Sequence, residues 1–349
     1  MVEEREKAGE GGAGEARRPR FQPRPFHPAA WLPGPHAQTV AGKYLRPRTG
    51  IVYRRERFDT PDGDFLDVDF ASVEGKPGLP ADAPVVLVAH GLEGSAHSGY
   101  VLESCLAAYE VGMRAVAMNF RSCGGEMNRL PRFYHAGETG DLAFVLDLLA
   151  DRFPGAPLAA MGFSLGANQL LKYLGERGAE ARVRAAAAVS VPFDLDLGAR
   201  KLDASFMGRV YTGVFVRSLQ RKFRQKREMI GDACDGRRVL AARSFREFDD
   251  AATARLHGFR DVDDYYGTQS SKNFLGAIRV PTLLVQAEDD PFVDETALPR
   301  GIERTNPWIE TAFTAHGGHV GFIAGPPWKP WFWAEREAVR FLAERLRGG

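Results

Sequence analysis

Four short runs, PVVLVA at 84–89, RAVAMNF at 114–120, PLAAMGF at 157–163 and RAAAAVSV at 184–191, are apolar on nearly every successive residue. A strand with one face in water alternates polar and apolar residues, so runs like these call for cover on both faces. Between them lie segments with helical spacing, at 98–112, 139–153 and 166–178. Parallel neighbours need a crossover connection, which is normally a helix. The alternation therefore predicts a mostly parallel sheet covered by helices on both faces, an α/β fold.

The pattern also sets boundaries. IVYRRERFDTPDG and DFLDVDFASV read as two early strands joined by a Pro-Asp-Gly turn, and VPTLLVQAEDD (280–290) and IETAFTAHGGH (309–319) as two late ones. WFWAEREAVRFLAERLR closes the chain as a helix. Between 195 and 277 the alternation breaks into a basic, aromatic, helical stretch, expected to be a lid inserted after the fourth strand of the series. The core is thus expected over 26–194 and 278–349. Residues 1–25, rich in Gly, Glu, Arg and Pro, are expected to be a disordered tail.

Composition narrows the function. With 46 Lys and Arg against 45 Asp and Glu, the net charge is +1, which lacks the basic field that nucleic acid requires. The three cysteines, Cys105, Cys123 and Cys234, form neither a disulfide framework nor a zinc ribbon. No secretory h-region and no membrane-spanning apolar run is present, so a cytoplasmic protein is expected. No cluster has metal-ligand spacing, so no metal is expected.

The third apolar run ends in Gly162–Phe163–Ser164–Leu165–Gly166, a G-x-S-x-G between a strand and a helix. That context suits a nucleophile on a sharp turn, with glycines where side chains would collide. A serine hydroxyl needs a base oriented by an acid. Downstream of Ser164 stand His257, in the insertion, and His316 and His319, in a loop after the last strand. His319 is the expected base, because the two glycines before it free its backbone approach. The acid is expected to be Asp290, whose neighbour Pro291 fixes the turn, ahead of Asp289, Asp294 and Asp194. The backbone N–H groups of Leu92 and Leu165 are the expected oxyanion donors. His90 precedes the serine and ends a strand, so a structural hydrogen-bonding role is expected for it.

Several stretches together resemble the YheT/EMB8-type branch of the α/β-hydrolases, the AB-hydrolase 4 group with its ABHD1-, ABHD2- and ABHD3-like members. They are HAQTVAGKYLR, HGLEGSAHSGY, NFRSCGGEMNRLPRFYHAGETGDL, GFSLGANQLLKYLGE, EFDDAATARLHGF, DDYYGTQSS, AEDDPF and HGGHVGFI, in consistent order from about 36 to 325. The resemblance implies the α/β-hydrolase fold, a triad of Ser164, Asp290 and His319, no cofactor, and hydrolysis of a small-molecule ester. An acyltransferase using the same triad and a catalytically silent binding protein are the alternatives. It also draws attention to Arg121, Glu126, Asn128, Arg129, His135 and Glu138, expected to form a polar network fixing a long loop, with Arg129 or His135 the candidates to reach a pocket. Cys123, in that loop, has no matching base. In the lid, Arg217, Arg221, Lys222, Arg224, Lys226 and Arg227 lie near Val214, Phe215, Leu219 and Phe223, a pattern suited to transient contact with an anionic membrane surface. Phe206, Tyr211, Phe215, Phe223, Tyr265 and Tyr266 are the expected apolar wall for an acyl chain.

Overall fold

The structure, a computed structural model, describes residues 19–347. A helix, α1 Gly34–Tyr44, precedes eight strands that form one sheet: β1 Ile51–Asp59, β2 Phe65–Val73, β3 Val85–Ala89, β4 Arg114–Asn119, β5 Leu158–Phe163, β6 Ala185–Val189, β7 Thr282–Ala287 and β8 Ile309–Thr314. Their order is β1-β2-β4-β3-β5-β6-β7-β8, with β2 antiparallel to its neighbours and every other pair parallel. The apolar runs are explained by β3. Val85, Leu87 and Ala89 pack under helices α3 Thr139–Arg152 and α4 Leu165–Arg177, while Val86 and Val88 pack under α2 Gly99–Glu110 and the C-terminal helix Trp333–Arg347. All five side chains are buried, so neither face offered water a reason for a polar residue.

From β3 the chain crosses to β4 on one side and then to β5 on the other. That reversal opens a crevice at the carboxyl ends of β3 and β5, where open α/β sheets bind ligands. The register pairs Ala89 with Gly162, which brings the loop after β3 beside the turn after β5.

Between β6 and β7 the chain leaves the sheet through α5 Leu195–Ala204, α6 Phe206–Ile230, shorter helical turns and a helix Val262–Gln269. Ser205 caps α6, its side chain accepting from Gly208 N–H at 2.9 Å. Val216, Phe223, Ile230, Val239 and Phe248 give this insertion a small core of its own. Among the described residues no helix is long and apolar enough to cross a membrane.

Two expectations need correcting. Residues 1–18 of the expected tail lie outside the described residues, but within 19–25 the chain is anchored at Phe21 and Arg24 while most of its side chains stay exposed. Phe21 is buried edge-on against Phe341 at 5.3 Å, and the Arg24 N–H donates to Glu337 at 2.9 Å. One aromatic anchor outweighed the polar composition around it. The second concerns the expected aromatic wall of the insertion. Phe223 is 1% exposed in the insertion's core, Leu219 packs beside it, and Tyr265 and Tyr266 are buried, whereas Phe206 is 74% exposed. Of the six expected wall residues, Tyr211 and Phe215 pack against Phe292, and Tyr265 and Tyr266 are buried in a cluster that Leu165 joins.

Candidate active site

Ser164 sits on the turn between β5 and α4 with φ 50° and ψ −118°, a left-handed conformation costly for a side-chain-bearing residue. The turn is held at both ends. Ser164 N–H donates to Val189 O at 2.9 Å, and its carbonyl accepts from Ala167 and Asn168 N–H at 3.0 Å. A Cβ on Gly166 would lie 2.4 Å from His90 O, so only glycine lets α4 start this close to β3.

The hydroxyl of Ser164 lies 2.9 Å from Nε2 of His319, and His319 Nδ1 lies 2.8 and 3.1 Å from the Asp290 carboxylate oxygens. Asp290 is fully buried, and a buried charge needs compensating donors. Phe292 N–H donates to Oδ1 at 2.8 Å and Gln286 Nε2 to Oδ2 at 3.1 Å, with the imidazole N–H completing the set. The Phe292 ring stacks on the imidazole at 4.3 Å between centroids. His319 N–H donates to Thr39 Oγ1 and Val320 N–H to Ser190 Oγ, both at 2.9 Å. The ring is thus held by Ser164, Asp290 and Phe292, and the backbone that carries it by Thr39 and Ser190. The glycine before it serves close approach rather than mobility, since a Cβ on Gly318 would meet Pro35 O at 2.4 Å.

The rejected candidates have other partners. Asp289 accepts from Gly318 N–H at 2.9 Å and faces the exposed His316 at 3.3 Å, shaping the loop rather than holding His319. Asp194 caps α5 and pairs with Lys272, and Asp294 caps a short turn through Thr296 N–H. His257 packs ring against ring with His135 at 4.6 Å. His90 is fully buried, which pushes its pKa down to about 3. Phe120 N–H donates to its Nε2 at 3.1 Å, leaving the proton on Nδ1 to donate to Gly91 O at 2.7 Å. The imidazole thereby pins the start of the loop carrying Leu92. Neither Leu92 N–H nor Leu165 N–H has an acceptor among the described residues. Burial raises the Cys123 thiol to about 11, which leaves it protonated and a poor nucleophile.

The polar loop is a network. Arg121 forks onto Asp141 at 2.6 and 2.8 Å and reaches Asp62 and Asp64 at 2.8 and 3.0 Å. Asn128 bonds Asp64 at 2.6 Å, Arg129 turns outward to Asp59 at 2.6 Å, and Glu126 pairs with Arg57. Arg129 therefore does not reach the site, and His135 sits among His257, Phe259 and Tyr265. His135, Glu138 and His257 bring ligand-type atoms within 4.8 Å of one another. Glu138 is already paired with Arg132, and Gly137 N–H donates to His135 Nδ1 at 3.2 Å, so a cation there would face a competing guanidinium.

Sequence reasoning missed Thr39, Ser190, Gln286 and Phe292. The stretch HAQTV, which carries Thr39, held the one available signal, because a polar run far from the serine has no other reason to belong to the pattern.

Comparison with known proteins identifies the family. Residues 84–326 match the α/β-hydrolase fold family. YheT of Escherichia coli, a candidate esterase, is 37% identical over 92% of this chain and 94% of its own. Mouse phospholipase ABHD3 is 31% identical over 86% of this chain and 74% of its own, and the embryogenesis-associated protein EMB8 of Picea glauca 31% over 88% and 70%. An esterase from Pyrococcus furiosus superposes with a TM-score of 0.53 at 16% identity, covering 94% of this chain and 99% of that one, a likeness of fold. The chain belongs to the α/β-hydrolase family, in its YheT, EMB8 and ABHD3 branch of carboxylic ester hydrolases.

Proposed function

We propose that the protein is a serine hydrolase that cleaves carboxylic esters of short to medium acyl chains, or lipid esters, through an acyl-enzyme on Ser164. The observation that carries this reading is the unbroken line from Ser164 Oγ through His319 to buried Asp290. His319 Nε2 takes the hydroxyl proton as the oxygen attacks the ester carbonyl, and Asp290 keeps the other ring nitrogen protonated. The developing oxyanion is met by the N–H groups of Leu92 and Leu165, the latter at the positive end of α4. His319 returns the proton to the leaving alcohol, and a water activated by the same imidazole releases the acid. An alcohol in that water's place gives the acyltransferase alternative; an ordered triad with free amides beside it argues against a silent binding protein.

The phospholipase name of one relative, and the name monoacylglycerol lipase of a yeast relative 30% identical over 81% of this chain, support lipid esters as a substrate class. In this reading the insertion is a lid whose Tyr211 and Phe215 supply the acyl wall. Its outer face carries exposed Phe206, Val210 and Val214, then Arg217, Arg221 and Arg224, an order suited to an anionic membrane surface. The three thiols are free, in keeping with a cytoplasmic setting. The test is a panel of p-nitrophenyl esters of graded acyl length with wild type and Ser164→Ala. Turnover that peaks at one chain length and vanishes in the variant supports the proposal; equal turnover by the variant refutes it.

A further inference from the structure

Glu93 directly follows Leu92 and takes φ 53°, a left-handed conformation that a side-chain-bearing residue holds only when neighbours enforce it. The enforcement is visible. Glu93 N–H donates to the Tyr134 hydroxyl at 2.8 Å, and that hydroxyl donates back to the Glu93 carboxylate at 2.8 Å. The carboxylate also accepts from Lys222 Nζ at 2.7 Å and from the Ser218 hydroxyl. Ser218 and Lys222 stand one turn apart on α6, and Lys222 additionally reaches Cys123 Sγ at 3.1 Å. The pair is largely withdrawn from water, with the Lys222 and Glu93 side chains 16% and 7% exposed. Burial opposes the lysine's charge, but the Glu93 carboxylate beside it acts the other way and the net direction is upward, so it stays a cation. A buried carboxylate that lost these donors would be driven to move toward water, carrying its backbone with it.

We infer that Glu93 is a positioning residue and that α6, through Ser218 and Lys222, clamps the loop that aims the Leu92 N–H. The oxyanion donor pair is then complete only while α6 is docked, which couples the insertion's position to the chemistry. This inference rests on the proposed function of Ser164.

The experiment compares Lys222→Met, Glu93→Gln and Ser218→Ala with wild type and Ser164→Ala on one p-nitrophenyl ester. It also measures inhibition by an alkyl boronic acid, whose tetrahedral adduct places an oxygen where the oxyanion forms. Removing an oxyanion donor costs about 10²–10³ in kcat, so displacing one is expected to lower kcat about 10–100-fold for Lys222→Met and Glu93→Gln with KM within about twofold. Boronate affinity is expected to fall in step with kcat/KM, and the double variant to be no slower than the worse single one. Ser218→Ala keeps the ion pair and is expected to show a smaller loss of the same kind, which reads the clamp even if the charge variants fail to fold. Unchanged kcat and boronate affinity in the folded variants, with Ser164→Ala inactive, would overturn the clamp alone. Activity retained by Ser164→Ala would instead overturn the proposed function.

Discussion

The sheet and helix α6 use the same residue types under opposite rules. On β3 each side chain is buried whichever way it points, because helices cover both faces. On α6, Phe223 is 1% exposed and Phe206 74%, while Lys226 is buried two residues from exposed Arg224. Lys226 is tied down by Asn128 at 2.6 Å, and burial draws its pKa down to about 8. In the sheet, burial follows from the local run of residues. On the insertion it follows from where the helix docks, which no local pattern records.

The comparison is tested most severely by the two adjacent aspartates at the sheet edge. Asp290→Asn is expected to lower kcat/KM about 10⁴-fold by imposing the wrong tautomer on His319. Asp289→Asn, which loosens only the Gly318 and His316 contacts, is expected to cost no more than about tenfold. Steady-state kinetics on one ester decides this, and the reverse ranking would move the acid to Asp289.

The two phenylalanines of α6 sharpen the contrast. Phe223→Ala should destabilise the protein by about 3–5 kcal/mol through lost burial and a cavity. Phe206→Ala should stay within about 0.5 kcal/mol, yet weaken co-sedimentation with anionic phosphatidylglycerol vesicles. Urea denaturation and a vesicle assay separate the two, and equal destabilisation would show that α6 docks through its outer face.

A smaller effect distinguishes the buried histidines outside the site. Burial holds His135 down to about 3 and His257 down to about 2, so both are neutral in the folded protein. Unfolded, each protonates near the ordinary histidine value of about 6.5. Their contribution is therefore full above about pH 6.5 and lost as pH falls from there toward about 3 for His135 and about 2 for His257. Each steepens the loss by up to about 1.4 kcal/mol per pH unit. Urea melts at pH 7 and 5.5 should show this slope, and the pair of substitutions His135→Gln and His257→Gln should flatten it. A slope unchanged by the pair would mean that these rings are already solvated when folded.

Much of the core was legible because its cause is local. The unbroken apolar runs of β3, β4, β5 and β6 follow from cover on both faces, and Ser164 announces itself through glycines that close approach requires. His319 and Asp290 could be placed at strand ends, though the reason for Asp290 over Asp289 is a set of donors, Gln286 and Phe292 N–H, that only folding assembles. The insertion resisted reading for the complementary reason. Lys222 and Lys226 look like members of a solvated basic stripe until Glu93 and the carbonyls of the polar loop come within reach. Phe21 was hidden likewise, because its partner Phe341 lies at the far end of the chain.

The central claim is that Ser164 is the activated nucleophile. Labelling the intact protein with a fluorophosphonate and locating the adduct by peptide mass spectrometry tests it most directly. The account predicts one adduct, on the peptide containing Ser164, lost in Ser164→Ala and slowed by several orders of magnitude in His319→Ala. An adduct on another residue, or undiminished labelling of Ser164→Ala, would contradict it.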